Sequence, residues 1–198
     1  GLRKSESEIN EIKREKYLEN ISGEFKKMIT SRKSIRSYTS DSIDAEIINE
    51  AVNLAKFSPS VCNRQSSKVY HIQDKKLIEK CLSYQNGNRG FGQLVDKLLV
   101  VTSDLSVFES MAERNQAFID GGLFSMSLLY SLTSLKLGAC PLNWCASLEN
   151  DNLLRKCLNI PLNEVVIMLI SCGHIPEKFN VPASQRKDLS EILVNIKK

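Results

Sequence analysis

The apolar positions of this chain fall into two rhythms. From Ile43 to Phe57 they recur every three or four residues (Ile43, Ile47, Ile48, Ala51, Val52, Ala55), which predicts a helix with one buried stripe. Asp44 stands where a capping carboxylate is wanted, and Pro59 stops the run by disfavouring helical geometry at Ser58. Lys68 to Gln73 alternates and predicts a strand, followed by a short helix from Asp74 to Leu82. Lys97 to Thr102 and Glu164 to Cys172 are nearly unbroken apolar runs, the pattern of strands buried on both faces. Ala139 to Leu142 is a candidate short strand and Glu149 to Leu158 a helix. Gly173 to Pro176 is expected to turn the chain, Val181 to Lys187 to extend, and Asp188 to Ile196 to form a short helix or strand.

Arg114 to Leu137 is the longest helical run, and its apolar residues cover nearly every face. Such a helix must be buried all round, and a second copy of the chain is the simplest source of cover. Gly121 and Gly122 each cost about 1 kcal/mol inside a helix, so the pair implies close backbone approach to another element. Residues 2 to 20 read as a charged helical arm with sparse apolar members, a segment that rarely folds alone. Residues 21 to 198 read as the domain proper, opening with a helix from Ile21 to Ile29. Strands separated by unequal connections favour an α+β arrangement over a doubly wound sheet. A GxGxxG turn after a strand is absent; Gly87 to Gly92 comes nearest and precedes its strand.

Composition narrows the function. A chain of 198 residues, 42% hydrophobic, suits one domain with a substantial core. No apolar run is long enough to cross a bilayer, so no membrane association is expected. The first residues lack an apolar h-region, so no signal peptide is visible, and Gly1 in place of Met suggests a trimmed start. The net charge of +4 is concentrated: residues 1 to 36 carry ten Lys or Arg against six Glu, and the remainder balances. That excess is too small for a nucleic-acid surface and fits one small anionic ligand. Six cysteines without CxxC spacing fit reduced thiols in a cytoplasmic protein, and Cys140 with Cys145 makes a poor metal or redox pair. His71 and His174 have no partner at a catalytic spacing and read as structural.

The densest candidate chemistry is Ser31-Arg32-Lys33-Ser34-Ile35-Arg36-Ser37-Tyr38, with three cations and three serine hydroxyls around the apolar Ile35. Like charges this close repel, and an anion held by guanidinium forks and serine donors would relieve them. A solvated basic turn is the alternative. Together with Ser58 to Gln65, Asp120 to Gly138, and Gly173 to Arg186, the stretch resembles the nitroreductase family of flavin enzymes over residues 21 to 198.

The resemblance implies a central, mainly antiparallel sheet flanked by helices, in an intertwined homodimer with two flavin mononucleotide (FMN) sites across the interface. It implies that Arg32 and Ser34 hold phosphate or pyrimidine atoms, that Arg36 lies on the pyrimidine edge, and that Lys33 contributes through its backbone. Pro59, Ser60 and Asn63 match a loop that reaches the flavin from the second subunit. Val61 and Ser66-Ser67 depart from that loop's pattern. For Ser60 and Asn63 the plainer reading is turn chemistry.

Arg186 resembles a C-terminal arginine that closes on the phosphate, and Ser184 stands where some members carry a cation. Leu142 and Asn143 lie where members present backbone groups to the flavin, and Asn88 corresponds to a pyrimidine contact. For Trp144 core packing is expected. The implied activity is hydride transfer from NADH or NADPH through flavin to a small electron-poor acceptor by a ping-pong route. No protein side chain would act as a catalytic nucleophile, and no metal is implied. Reductive dehalogenation, a biosynthetic flavin oxidation, and a flavin-free binding or scaffold protein on the same fold are the rivals.

Overall fold

The strands β2 (Ser67–Ile72), β3 (Lys97–Asp104), β4 (Leu137–Asn143) and β5 (Glu164–His174) form one antiparallel sheet in the order β2-β3-β5-β4. This computed structural model describes residues 9–21 and 25–196. The two central strands explain the unbroken apolar runs. Leu98 and Val100 of β3 join one core, while Leu99 and Val101 join another on the opposite face of the sheet. With both faces covered, alternation has nothing to separate.

One face is covered by α3 (Ala45–Ala55) and α5 (Gln116–Ser134), whose Ile48, Ala51, Leu128 and Leu132 are buried against Leu99, Val101 and Ile170. The other is covered by α4 (Lys75–Ser83), α6 (Leu148–Leu158) and the Arg32–Tyr38 segment. Asp44 caps α3 as expected, accepting from the Glu46 N–H, and Asp74 caps α4 by accepting from the Leu77 N–H. The family's α+β architecture is therefore present, and the helical and strand runs in the middle of the chain match the sequence pattern closely.

The ends of the chain differ from expectation. Residues 9 to 13 form a strand, β1 (Ile9–Lys13), which pairs antiparallel with β6 (Lys178–Pro182) in a separate two-stranded sheet. Only Arg14–Ile21 is helical there (α1), and residues 1–8 lie outside the described part. A partner strand far along the chain overrode a helical composition, as tertiary pairing does. Tyr17 of α1 is buried in the core with Phe179, their rings edge-on at 5.7 Å. The next helix is α2 (Phe25–Ser31), later than expected, and residues 22–24 lie outside the described part.

The long helix is shorter than the pattern suggested, because Leu137 already belongs to β4. Within one chain it is not buried all round: Phe118, Ile119 and Leu123 are about half exposed. Gly121 does mark a close approach. A Cβ there would sit 2.6 Å from Ile167 of β5. Gly173 and His174 extend β5 instead of turning, since both pair with β4. A Cβ at Gly173 would meet the Tyr38 ring at 2.6 Å, so only glycine lets the basic segment lie flat on this strand. Residues 183 to 187 are irregular, and the tail forms only a short 3-10 turn at Leu189–Glu191.

Candidate functional site

The basic segment is fixed by its apolar members. Ile35 and Tyr38 are buried, and a Cβ at Gly138 of β4 would contact Ile35 at 3.1 Å. The Ile35 N–H donates to the Ala139 carbonyl and the Thr39 N–H to the His174 carbonyl, both at 3.0 Å. The Tyr38 hydroxyl reaches the Ile35 carbonyl at 2.8 Å and Ser171 Oγ at 3.0 Å. Ile35 is thereby held inward, while Arg32 and Ser34 stay partly exposed and Arg36 exposed.

Arg32, Ser34 and Arg36 line one cleft with Lys33 and, from the far end of the chain, Val181, Pro182, Ser184 and Arg186. Four cations thus converge where no lining residue is acidic. Among the described residues none of the four is paired with a carboxylate. Nη1 of Arg32 is buried without a hydrogen-bond partner. A buried guanidinium nitrogen left unpaired is expensive, and an anionic oxygen in the cleft would satisfy it. Beneath the cleft, burial pushes the Cys140 thiol up, while Arg36 and Arg32 pull in the opposite direction.

The Pro59, Ser60 and Asn63 loop is elsewhere. It follows α3 and, with Lys56, Gln65, Asp120 and Phe124, forms a second cleft that shares no residue with the first. Within one chain the two halves of the expected flavin site therefore do not meet in a common cavity. Pro59 and Ser60 line this second cleft; Asn63 is exposed beside it, at a positive φ of 53°.

The remaining candidates occupy the end of β4. The Leu142 side chain is buried in the core, so only its backbone is free for another role. Asn143 is exposed, and its carbonyl accepts from Gln85 Nε2 at 3.1 Å. Asn88 is committed locally, its Nδ2 donating to the carbonyls of Leu82 and Gln85. Trp144 packs partly buried against the core and donates to Asp151 Oδ1 at 2.7 Å, as a structural tryptophan does.

Val181 and Pro182 of the cationic cleft, Gln85 and Asp120 were not singled out from sequence. Gln85 ties the Tyr84–Gly92 loop to β4, and an amide in a polar loop carries no pattern that reveals it. Asp120 had a signal: it is a lone acid inside an apolar helix. Among the described residues no cluster of three metal-ligating side chains occurs, and no helix is long and apolar enough to cross a membrane.

The nitroreductase family model matches residues 29–174, which includes the basic segment, the Pro59 loop and the whole four-stranded sheet. Across 94% of its length the chain is 24% identical to a protein named iodotyrosine deiodinase from Nematostella vectensis, covering 80% of that protein. Across 75% of its length it is 27% identical to an Archaeoglobus fulgidus protein described as an NADH dehydrogenase/NAD(P)H nitroreductase, covering 83% of it. A Desulfovibrio desulfuricans structure, described as a nitroreductase in complex with FMN, superposes with a TM-score of 0.68 at 21% identity. That match covers 86% of this chain and 95% of the other.

Proposed function

This chain belongs to the nitroreductase family, and from that premise we propose that it is an FMN-dependent oxidoreductase that draws on NADH or NADPH and reduces a small electron-poor acceptor. The observation that carries the reading is the cleft of Arg32, Lys33, Arg36 and Arg186, with its buried and unpartnered guanidinium nitrogen. The donor set fits a phosphorylated flavin. Arg32, Ser34 and Arg186 would hold the phosphate, with Arg36 beside the pyrimidine edge and Lys33 adding charge. Bound flavin supplies the hydride- and electron-transfer chemistry. The chain's own contribution is to bind, orient and shield it, and cations near the pyrimidine edge favour the reduced, anionic form.

The second half of the site is proposed to come from another copy of the chain. The Pro59–Asn63 loop lies on a different cleft from the cations. Phe118, Ile119 and Leu123 of α5, together with Leu189, Ile192 and Leu193 of the tail, leave apolar surface exposed. Both features support a homodimer, which would bring Ser60 and Asn63 of one subunit to the flavin of its neighbour. Leu142 and Asn143 are assigned backbone contacts at the end of β4, and Asn88 a supporting place nearby. Residues 1–20 are proposed as an arm on a single FMN-binding domain, since β1 joins that domain through β6.

Denaturing the purified protein and identifying the released chromophore tests the reading directly. FMN is expected; a colourless protein that takes up no added FMN would leave the scaffold alternative standing. The relative named as a deiodinase favours a second reading, reductive dehalogenation on the same cofactor. Steady-state assays with nitroaromatic, quinone and halophenol acceptors separate the two.

A further inference from the structure

Three residues of the Ser58–Gln65 loop hold positive φ: Cys62 at 49°, Asn63 at 53° and Gln65 at 50°. Side chains other than glycine enter that region at a cost, and such strain persists only where neighbouring contacts over-determine it. The contacts are visible. The Gln65 N–H donates to Ser60 Oγ and the Asn63 N–H to the Ser60 carbonyl, both at 3.0 Å. Arg64 Nη1 donates to Glu113 Oε1 at 2.7 Å, and Glu113 Oε2 accepts from the Glu109 N–H at 2.7 Å. The Val61 N–H donates to Asp120 Oδ2 at 3.1 Å.

Asp120 stands apart from the other anchors. It is only 3% exposed, and among the described residues it has no ion-pair partner. Its other oxygen accepts from Gln116 Nε2 at 2.8 Å, one helical turn away. Packing α5 against its neighbours does not call for a buried carboxylate: the other buried residues of the helix are small, apolar or hydroxyl side chains, and the buried hydroxyls of Ser125, Ser131 and Thr133 donate back to the helix's own carbonyls. Among the described residues, the one group beyond the helix to which it is hydrogen-bonded is the backbone that enters the strained turn.

We propose that Asp120 is a positioning residue. It acts through the backbone: it fixes Val61 and so sets Ser60 and Asn63 in the geometry in which the loop meets a flavin; Arg64 with Glu113 forms a second, more exposed latch. The assignment rests on the flavin reading above and explains why the one acid of α5 is buried. Asp120→Asn keeps an oxygen for the Val61 N–H, and its amide can donate to a flipped Gln116. Asp120→Ala keeps neither contact.

The test compares both variants with the unaltered protein by FMN titration, thermal unfolding and backbone hydrogen exchange. Loss of a buried hydrogen bond of this kind should weaken FMN binding about tenfold in Asp120→Ala. Exchange should quicken at residues 61–65 without quickening across the sheet. Asp120→Asn should stay within about threefold of the unaltered protein. FMN affinity and loop exchange both unchanged in Asp120→Ala would overturn the proposal. So would an Asn variant that falls as far as Ala with a matching loss of thermal stability, since the group would then serve the helix. Should the unaltered protein bind no FMN, the flavin reading fails on its own. The exchange comparison would still decide whether Asp120 holds the loop.

Discussion

Two charged regions of this molecule treat their charge in opposite ways. At the start of β5, Glu164 is 2% exposed and fully partnered. Lys68 Nζ donates to it at 2.6 Å, Thr102 Oγ1 at 2.7 Å and the Tyr70 hydroxyl at 2.9 Å. In the cationic cleft, Arg32, Lys33, Arg36 and Arg186 face one another with no carboxylate among them, and one buried nitrogen has no partner. The first region is closed and needs nothing from outside. The second leaves a buried donor open that an anion would satisfy, which is why it reads as a candidate site and Glu164 as part of the framework.

The sharpest way to break that contrast is to remove the guanidiniums. Arg32→Ala combined with Arg36→Ala should reduce FMN retention by well over tenfold, judged by the absorbance of the purified protein, while circular dichroism stays the same. Equal loss of folding would place these arginines in the framework too. Next comes Glu164→Gln, which should lower unfolding stability by about 2 kcal/mol in urea titrations and leave FMN affinity unchanged. The figure lies below that of a fully buried pair because Lys68 is half exposed.

A smaller effect is expected with acid. Burial pushes the Glu164 carboxyl up, but the Lys68, Thr102 and Tyr70 donors outweigh it and hold the group below its ordinary value of 4.5. Asp104 is held down at about 2, chiefly by the Ser106 side chain and N–H. Because both folded values lie below the unfolded ones, their stabilisation is complete above the ordinary carboxylate range. It disappears as pH falls through the folded values. Stability measured from pH 5 downward should therefore decline, and Glu164→Gln should flatten that decline. The smallest change is Thr102→Val, worth about 1 kcal/mol for one lost buried hydrogen bond, with no effect on cofactor content.

The elements that were legible from the chain are those whose signal is local. The stripe of α3, the Asp44 cap and the apolar runs of β3 and β5 each follow from residues within one turn or a few strand positions. The basic segment was legible for the same reason, since its charge density is a property of eight consecutive residues. What misled was longer in range. A charged composition at residues 9–13 gave no hint of β6, some 170 residues away, and Gly173 looked like a turn because the Tyr38 ring that demands it lies far off in sequence.

Sequence by itself determined the α+β class, the family and the cations that make this chain's most reactive-looking surface. Only the tertiary structure decided that Val181 and Pro182 line the cleft Arg186 was expected to join, that the Pro59 loop faces another one, and that Asp120 grips that loop. The reason is physical. Helix stripes, caps and charge clusters are written in neighbouring residues, whereas a cleft is an agreement between segments that meet only after the sheet has brought them together.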